Sequence, residues 1–129
     1  MKDPTMPDGQ PETRTQRTHS GAEFEQRALR LLQSYGLKLV CQNFRCKAGE
    51  IDIVMEHADV LVFVEVRFRS SERWGGAAAS ITRAKQQRVR RAAATFVAKH
   101  RRFRAYRMRF DAVCFDPSGE QWIRQAFSD

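Results

Sequence analysis

No stretch of this 129-residue chain approaches the roughly 20 consecutive apolar residues needed to span a bilayer. The N-terminus lacks the apolar core of a secretory signal, so the expected location is the cytoplasm and no membrane partner is expected. Cysteine is scarce and odd in number, three in all, which fits a reducing compartment and not a disulfide framework. Cys41 and Cys46 have no matching second pair, so no zinc pattern forms with Cys114 or His57. There is no glycine loop of the nucleotide-cradling kind and no nucleophile elbow. Acidic residues are missing altogether from Arg73 to Phe110, where ten Arg and two Lys stand.

That one-sided segment carries twelve positive charges, more than the whole net charge of +8. Arginine predominates, and its planar fork suits bidentate phosphate contacts better than lysine does. Nucleic acid, DNA first, is the expected partner. An anionic membrane would call for a basic helix with a bulky apolar face, whereas the helix expected here is rich in alanine. The plain alternative is a solvated basic face. Arg69, Arg83, Arg90, Arg91, Arg101 and Arg102 are the candidate nucleic-acid-binding residues. Between Lys99 and Arg109, arginines alternate with Phe103, Tyr106 and Met108, a pattern that suits stacking on unpaired bases. The favoured alternative is that Tyr106, Met108 and Phe110 fill the inner face of a strand, with Arg109 paired to a carboxylate such as Asp111.

Residues 1–19, with Pro4, Pro7, Gly9 and Pro11, read as a flexible tail ahead of one domain spanning 20–129. Phe24, Ala28, Leu31, Leu32 and Tyr35 recur at helical spacing, with Ser20 as a cap and Gly36 as the stop. Strands are expected at Leu37–Phe44, Glu50–Glu56 and Val60–Phe68. A loop around Trp74-Gly75-Gly76 leads to a long helix from Thr82 to His100, with Ala84, Val89, Ala92, Ala93, Phe96 and Val97 inward and Arg83, Gln87 and Arg90 outward. Strands at Tyr106–Phe115 and Gln121–Ala126 close the chain around a turn at Asp116-Pro117-Ser118-Gly119. The fold class is therefore α/β, a central mixed sheet of four to five strands flanked by two helices, in the order α-β-β-β-α-β-β. The long helix makes the strands on either side of it parallel, after an antiparallel meander of three.

Two of these strands carry charge where a buried strand should have none. Asp52 lies between Ile51 and Ile53, and Glu65 between Val64 and Val66. An ionised carboxylate there is costly without a partner or a metal. Strand alternation puts Glu50 and Asp52 on one face, Ile51 and Ile53 on the other, and Phe63, Glu65 and Arg67 together. A tight hairpin brings Asp52 close to Glu65, within the span of one divalent ion. Mg²⁺, or Mn²⁺ in its place, is the expected cofactor, and Arg67 the group to meet charge on a phosphate. Glu25, early in the first helix, is a third acidic candidate or a helix-dipole partner.

Gly21-x-x-x-Glu25-x-x-Ala28, Asn43-Phe44-Arg45, Gly49-Glu50-Ile51-Asp52, Val62-Phe63-Val64-Glu65-Val66, Lys85, Arg109-Phe110-Asp111 and Ala126-Phe127 together resemble the bacterial YraN family. The resemblance runs from about residue 20 to the C-terminus. It implies a restriction-endonuclease-like fold of the PD-(D/E)XK superfamily, similar to archaeal Holliday-junction resolvases. It also implies a Mg²⁺-dependent endonuclease acting on structured or branched DNA, with Glu25, Asp52 and Glu65 at the metal. Cutting two strands calls for two centres, which a homodimer supplies. Arg67 stands where that superfamily usually has lysine. Arginine clamps phosphate but does not serve as a base, so binding is expected to survive this change better than cleavage. Lys85 is the candidate substitute; its alternative is a side chain snorkelling from the start of the helix. The rival readings are a non-catalytic nucleic-acid-binding module whose acidic residues pair internally with Arg67 and Arg109, and an interaction subunit that docks a DNA-processing protein through the loop around Trp74.

Overall fold

A computed structural model describes residues 14–70 and 78–129. Chain order is α1 (Arg14–Ser34), β1 (Lys38–Cys46), β2 (Gly49–His57), β3 (Val60–Phe68), α2 (Arg83–Lys99), β4 (Arg107–Asp116) and β5 (Gly119–Phe127). Short 3-10 turns cover Ala78–Ser80 and Arg101–Phe103. The five strands form one sheet in sequence order. β1, β2 and β3 run as an antiparallel meander, β3 and β4 are parallel through α2, and β5 returns antiparallel to β4. The α/β architecture read from the sequence is the one observed.

Each helix covers one face of the sheet. Ala28, Leu29 and Leu32 of α1 pack with Ile53, Met55, Val62, Val64, Val113 and Phe115. Val89, Ala92, Ala93 and Phe96 of α2 pack with Ile51, Val54, Leu61, Phe63 and Phe110. β3 is buried on both faces, which explains its unbroken apolar run around a single carboxylate. Small Ala92 and Ala93 let α2 approach closely, and the Phe96 ring meets Phe63 and Phe44 edge-on.

Thr82 caps α2, its hydroxyl accepting from the Lys85 N–H at 3.2 Å. Gly36, at φ 92°, lets Leu37 N–H reach back to the Leu32 carbonyl and close α1. Asp116 accepts from Ser118 N–H and Oγ in the final turn. Some local expectations differ. α1 begins at Arg14, so Ser20 lies within the helix and part of the expected tail is helical; that polar turn has no apolar period to reveal it. Tyr35 falls past the helix end and is exposed, resting beside Trp122, while Leu29 takes a core place. Ala84 is exposed because the first turn of α2 overhangs the sheet. The first residues of the expected tail and the loop around Trp74 lie outside the described residues.

Candidate functional site

The acidic cluster forms where β2 parts from β3. Their pairing runs from His57↔Val60 to Ile53↔Val64 and ends there. One step further the Asp52 carboxylate replaces the backbone acceptor, taking the Val66 N–H on Oδ2 at 2.8 Å. On the other side, Asn43 and Asp52 sit opposite each other between the pairs Gln42↔Ile53 and Phe44↔Ile51. Asn43 has φ 54°, a left-handed conformation that asparagine tolerates better than most residues. The strands thus change face together: Ile51 joins the layer under α2 and Ile53 the layer under α1. The expected sharing of one face by these two isoleucines is corrected accordingly. Strict alternation fails because an irregularity sits at Asp52 itself.

Glu65 shares a face with Phe63 and Arg67 as the alternation predicts, and that face is the one under α2. Glu65 is 3% exposed. Its Oε2 meets Lys85 Nζ at 3.2 Å and Arg67 Nη1 at 3.5 Å. Its Oε1 is buried with no hydrogen-bond partner among the described residues. Burial, then the charge of Asp52, raises the Glu65 carboxyl to about 7 against the pull of Lys85 and Arg67. Burial likewise raises Asp52, opposed by the Val66 N–H and by Lys85. Glu25 enters from α1 on the other side of the sheet. Burial and then Asp52 raise it to about 7, while a hydrogen bond from the Asn43 side chain lowers it. Asp52 therefore stands in the gap between a carboxyl from each helix-covered face.

These residues fit a hard divalent cation. An orphaned carboxylate oxygen in a field of mutually repelling acids is what such an ion would relieve. Among the described residues no three His, Cys, Asp or Glu side chains converge tightly enough to enclose a metal by themselves. The donor set suits an ion that takes one or two carboxylates and completes its shell with water or phosphate. Asp52 and Glu65 would supply that pair; Glu25 would add charge beside Asp52 without completing a cage.

Lys85 reaches the cluster from the first turn of α2, so of its two readings the structure realises the one that brings it to Glu65. Arg67 is more constrained than its sequence position suggests. Its Nε donates to Ser80 Oγ at 2.9 Å and its Nη2 to the Ser80 carbonyl at 3.5 Å. Sequence reasoning missed two partners, Ser80 and Asn43. Ser80 closes a loop and carries no local signal; Asn43 is marked only by its tolerance of positive φ.

The arginines are not equivalent. Arg69, Arg83, Arg91 and Arg101 are exposed. Arg90, expected on the outer face, is instead tied inward. It donates to the Ser128 carbonyl at 2.7 Å and to Gln86 at 3.1 Å, and lies over the Phe127 ring. Arg102 stacks on Phe103 and stands 3.8 Å from Glu56. Phe110 is buried, Tyr106 and Met108 pack against the core, and Tyr106 donates to Glu56 at 2.9 Å, so these residues fill a face as favoured. Arg109 forks onto buried Asp111 at 2.8 and 2.9 Å. Asp111 also accepts from Trp122 Nε1 and from the N–H of Gln125, which anchors an irregular turn in β5.

An α/β domain with a carboxylate pair at a strand divergence, faced by a lysine and an arginine, is the class that fold and site define. A model of a family described as "Uncharacterised protein family UPF0102" matches residues 24–115, and the chain belongs to that family. The YraN resemblance read from the motifs is the same assignment. A UPF0102 protein of Alkalilimnicola ehrlichii is 50% identical over 109 residues, covering 84% of this chain and 86% of that one. One of Cupriavidus necator is 48% identical over 124 residues, covering 95% and 93%. One of Pseudomonas fluorescens is 46% identical over 114 residues, covering 84% and 93%.

Proposed function

We propose that this protein binds nucleic acid and hydrolyses phosphodiester bonds with Mg²⁺ or Mn²⁺, as an endonuclease of restriction-endonuclease-like kind. The observation that carries the reading is Glu65: raised by burial and by Asp52, with one oxygen orphaned among the described residues and the other on Lys85. Asp52 and Glu65 would hold the ion, and Glu25 would position water beside Asp52. When bound, such an ion polarises a phosphodiester and lowers the pKa of a coordinated water. Lys85 Nζ, carried on a helix N-terminus, would stabilise negative charge developing on the phosphate. Arg67, steadied by Ser80, would clamp a phosphate oxygen. DNA, structured or branched, is the substrate suggested by the superfamily resemblance, and a cytoplasmic homodimer is the arrangement that paired cuts would need. Exposed Arg69, Arg83, Arg91 and Arg101 would supply sequence-independent contacts.

The test is cleavage of branched, single-stranded and duplex DNA with Mg²⁺ and with EDTA. Metal-dependent cleavage that disappears in both Asp52→Ala and Glu65→Ala is the expected result. Equal cleavage by the unaltered protein and both variants would sink it. A second reading has its own support: Glu65 is already paired with Lys85 and Arg67, and Asp111 with Arg109. In that reading the domain is a binding module. Salt-sensitive DNA binding without cleavage in any metal would favour it.

A further inference from the structure

None of the arginines singled out from the sequence for nucleic-acid binding lines a cleft that borders the acidic centre through Lys85. That cleft, about 500 Å³, opens between the β1–β2 hairpin and the start of α2. Arg45, Cys46, Gly49, Glu50, Lys85 and Arg88 line it. We infer that it seats a backbone phosphate of the bound strand, next to the phosphate held at Asp52 and Glu65. The inference rests on the nucleic-acid reading above and adds the path of the strand.

Three observations carry it. Lys85 lines the cleft and also touches Glu65, so the two sites share a wall. Arg88 has no ion-pair partner among the described residues, and Arg45 has only a loose exposed contact with Glu50 at 3.4 Å. Among the described lining residues, three cations stand against one carboxylate, which makes the cleft positive. Among the described residues no aromatic ring lines it to stack a base, whereas a phosphate meets two guanidinium forks. The cleft is also held to shape by a close approach. At Gly49, φ 155°, an added Cβ would lie 3.2 Å from Arg88 Cβ and 3.4 Å from its carbonyl oxygen. The bare backbone there lets the hairpin press against α2 without displacing Arg88.

The experiment compares binding of fluorescein-labelled oligothymidylate and four-way branched DNA, in EDTA, across a series of salt concentrations. The variants are the double substitution Arg45→Gln with Arg88→Gln, and a charge-matched pair elsewhere, Arg30→Gln with Lys38→Gln. Circular dichroism confirms that both fold. The cleft pair should bind the oligonucleotide about tenfold more weakly, with the slope of log affinity against log salt reduced by about 0.7, the share of one single-strand phosphate contact. The matched pair should lose less than about threefold, as expected for long-range charge alone. Cys46 supplies a second readout: bound oligonucleotide should slow its alkylation by N-ethylmaleimide, followed by peptide mass, and leave Cys41 unaffected. Equal losses in both pairs, or unprotected Cys46, would overturn the cleft while leaving nucleic-acid binding intact. Failure of the unaltered protein to bind either DNA at low salt overturns both. Binding without cleavage removes the enzyme and supports the cleft if the cleft pair alone loses affinity.

Discussion

Asn43 does two things at once. Its left-handed backbone turns β1 opposite Asp52, and its side chain bonds Glu25. Asn43→Gly keeps the first and loses the second; Asn43→Ala loses both. A Cβ in the left-handed region costs about 1 kcal/mol without the local bonding asparagine offers. Urea unfolding should therefore show Asn43→Ala less stable than Asn43→Gly by about that amount. Both variants should raise the Glu25 carboxyl above its value of about 7, because the bond that lowers it is gone; ¹³C NMR titration reads this directly. A second contrast separates the two basic groups at Glu65. If Lys85 is the cation that serves the reacting phosphate, Lys85→Ala should lower cleavage on the order of a hundredfold. It should also move the acid limb of the pH–rate profile upward, since Lys85 holds the Glu65 carboxyl down. Arg67→Lys should cost less than about tenfold, the loss of a fork on Ser80 and not of the charge. Unchanged cleavage in Lys85→Ala would return the role to Arg67.

At the level of elements, the two buried acids on neighbouring strands have opposite meanings. Asp111 is fully buried yet fully bonded, by the Arg109 fork, the Trp122 indole and the Gln125 N–H. It locks the edge strand β5 to β4 where their register slips. Glu65 is almost as buried and keeps an oxygen unbonded. Replacing Asp111 should thus be structural: Asp111→Ala strands the Arg109 guanidinium and should cost about 3–5 kcal/mol in urea unfolding. Glu65→Gln should be tolerated or mildly stabilising without metal, because it removes a carboxylate that burial and Asp52 already penalise. A comparable loss of stability in both variants would show that Glu65 too is structural.

For the whole molecule, the raised carboxyls set a pH dependence. A Glu65 carboxyl at about 7 in the folded chain and near 4.5 in the unfolded one keeps its proton only when folded between those values. The folded state binds more protons there, so stability falls as pH rises through that window, with a slope per group approaching about 1.4 kcal/mol per pH unit. Thermal unfolding in EDTA should show a lower Tm at pH 8 than at pH 5.5, and Glu65→Gln should flatten the difference. Mg²⁺ at pH 8 should restore stability, by about 2.7 kcal/mol at a hundredfold excess over its Kd. A Tm unmoved by Mg²⁺ at pH 8 would exclude the metal centre whatever the DNA assays show. Among the described residues no helix is long and apolar enough to cross a membrane.

The order of elements, the crossover through α2 and the hairpin that brings Asp52 toward Glu65 were all legible in the chain, because apolar period, turn residues and connection length are local quantities. So was the anomaly of acids inside apolar strands, and the pairing of Arg109 with Asp111. Local pattern failed where the backbone broke its own period. Ile51 and Ile53 read as one face, yet the kink at Asn43 and Asp52 sends them to opposite layers. Nor does spacing reveal which cations are free. Arg90 is spent on the C-terminus while Arg88, two residues earlier, faces an open cleft. The sequence by itself determined the fold and the chemical character of the centre, since burial energy and strand geometry follow from residue type. Only the tertiary structure decided that Lys85 from α2 meets Glu65 from β3, because that contact depends on how a helix lies across a sheet.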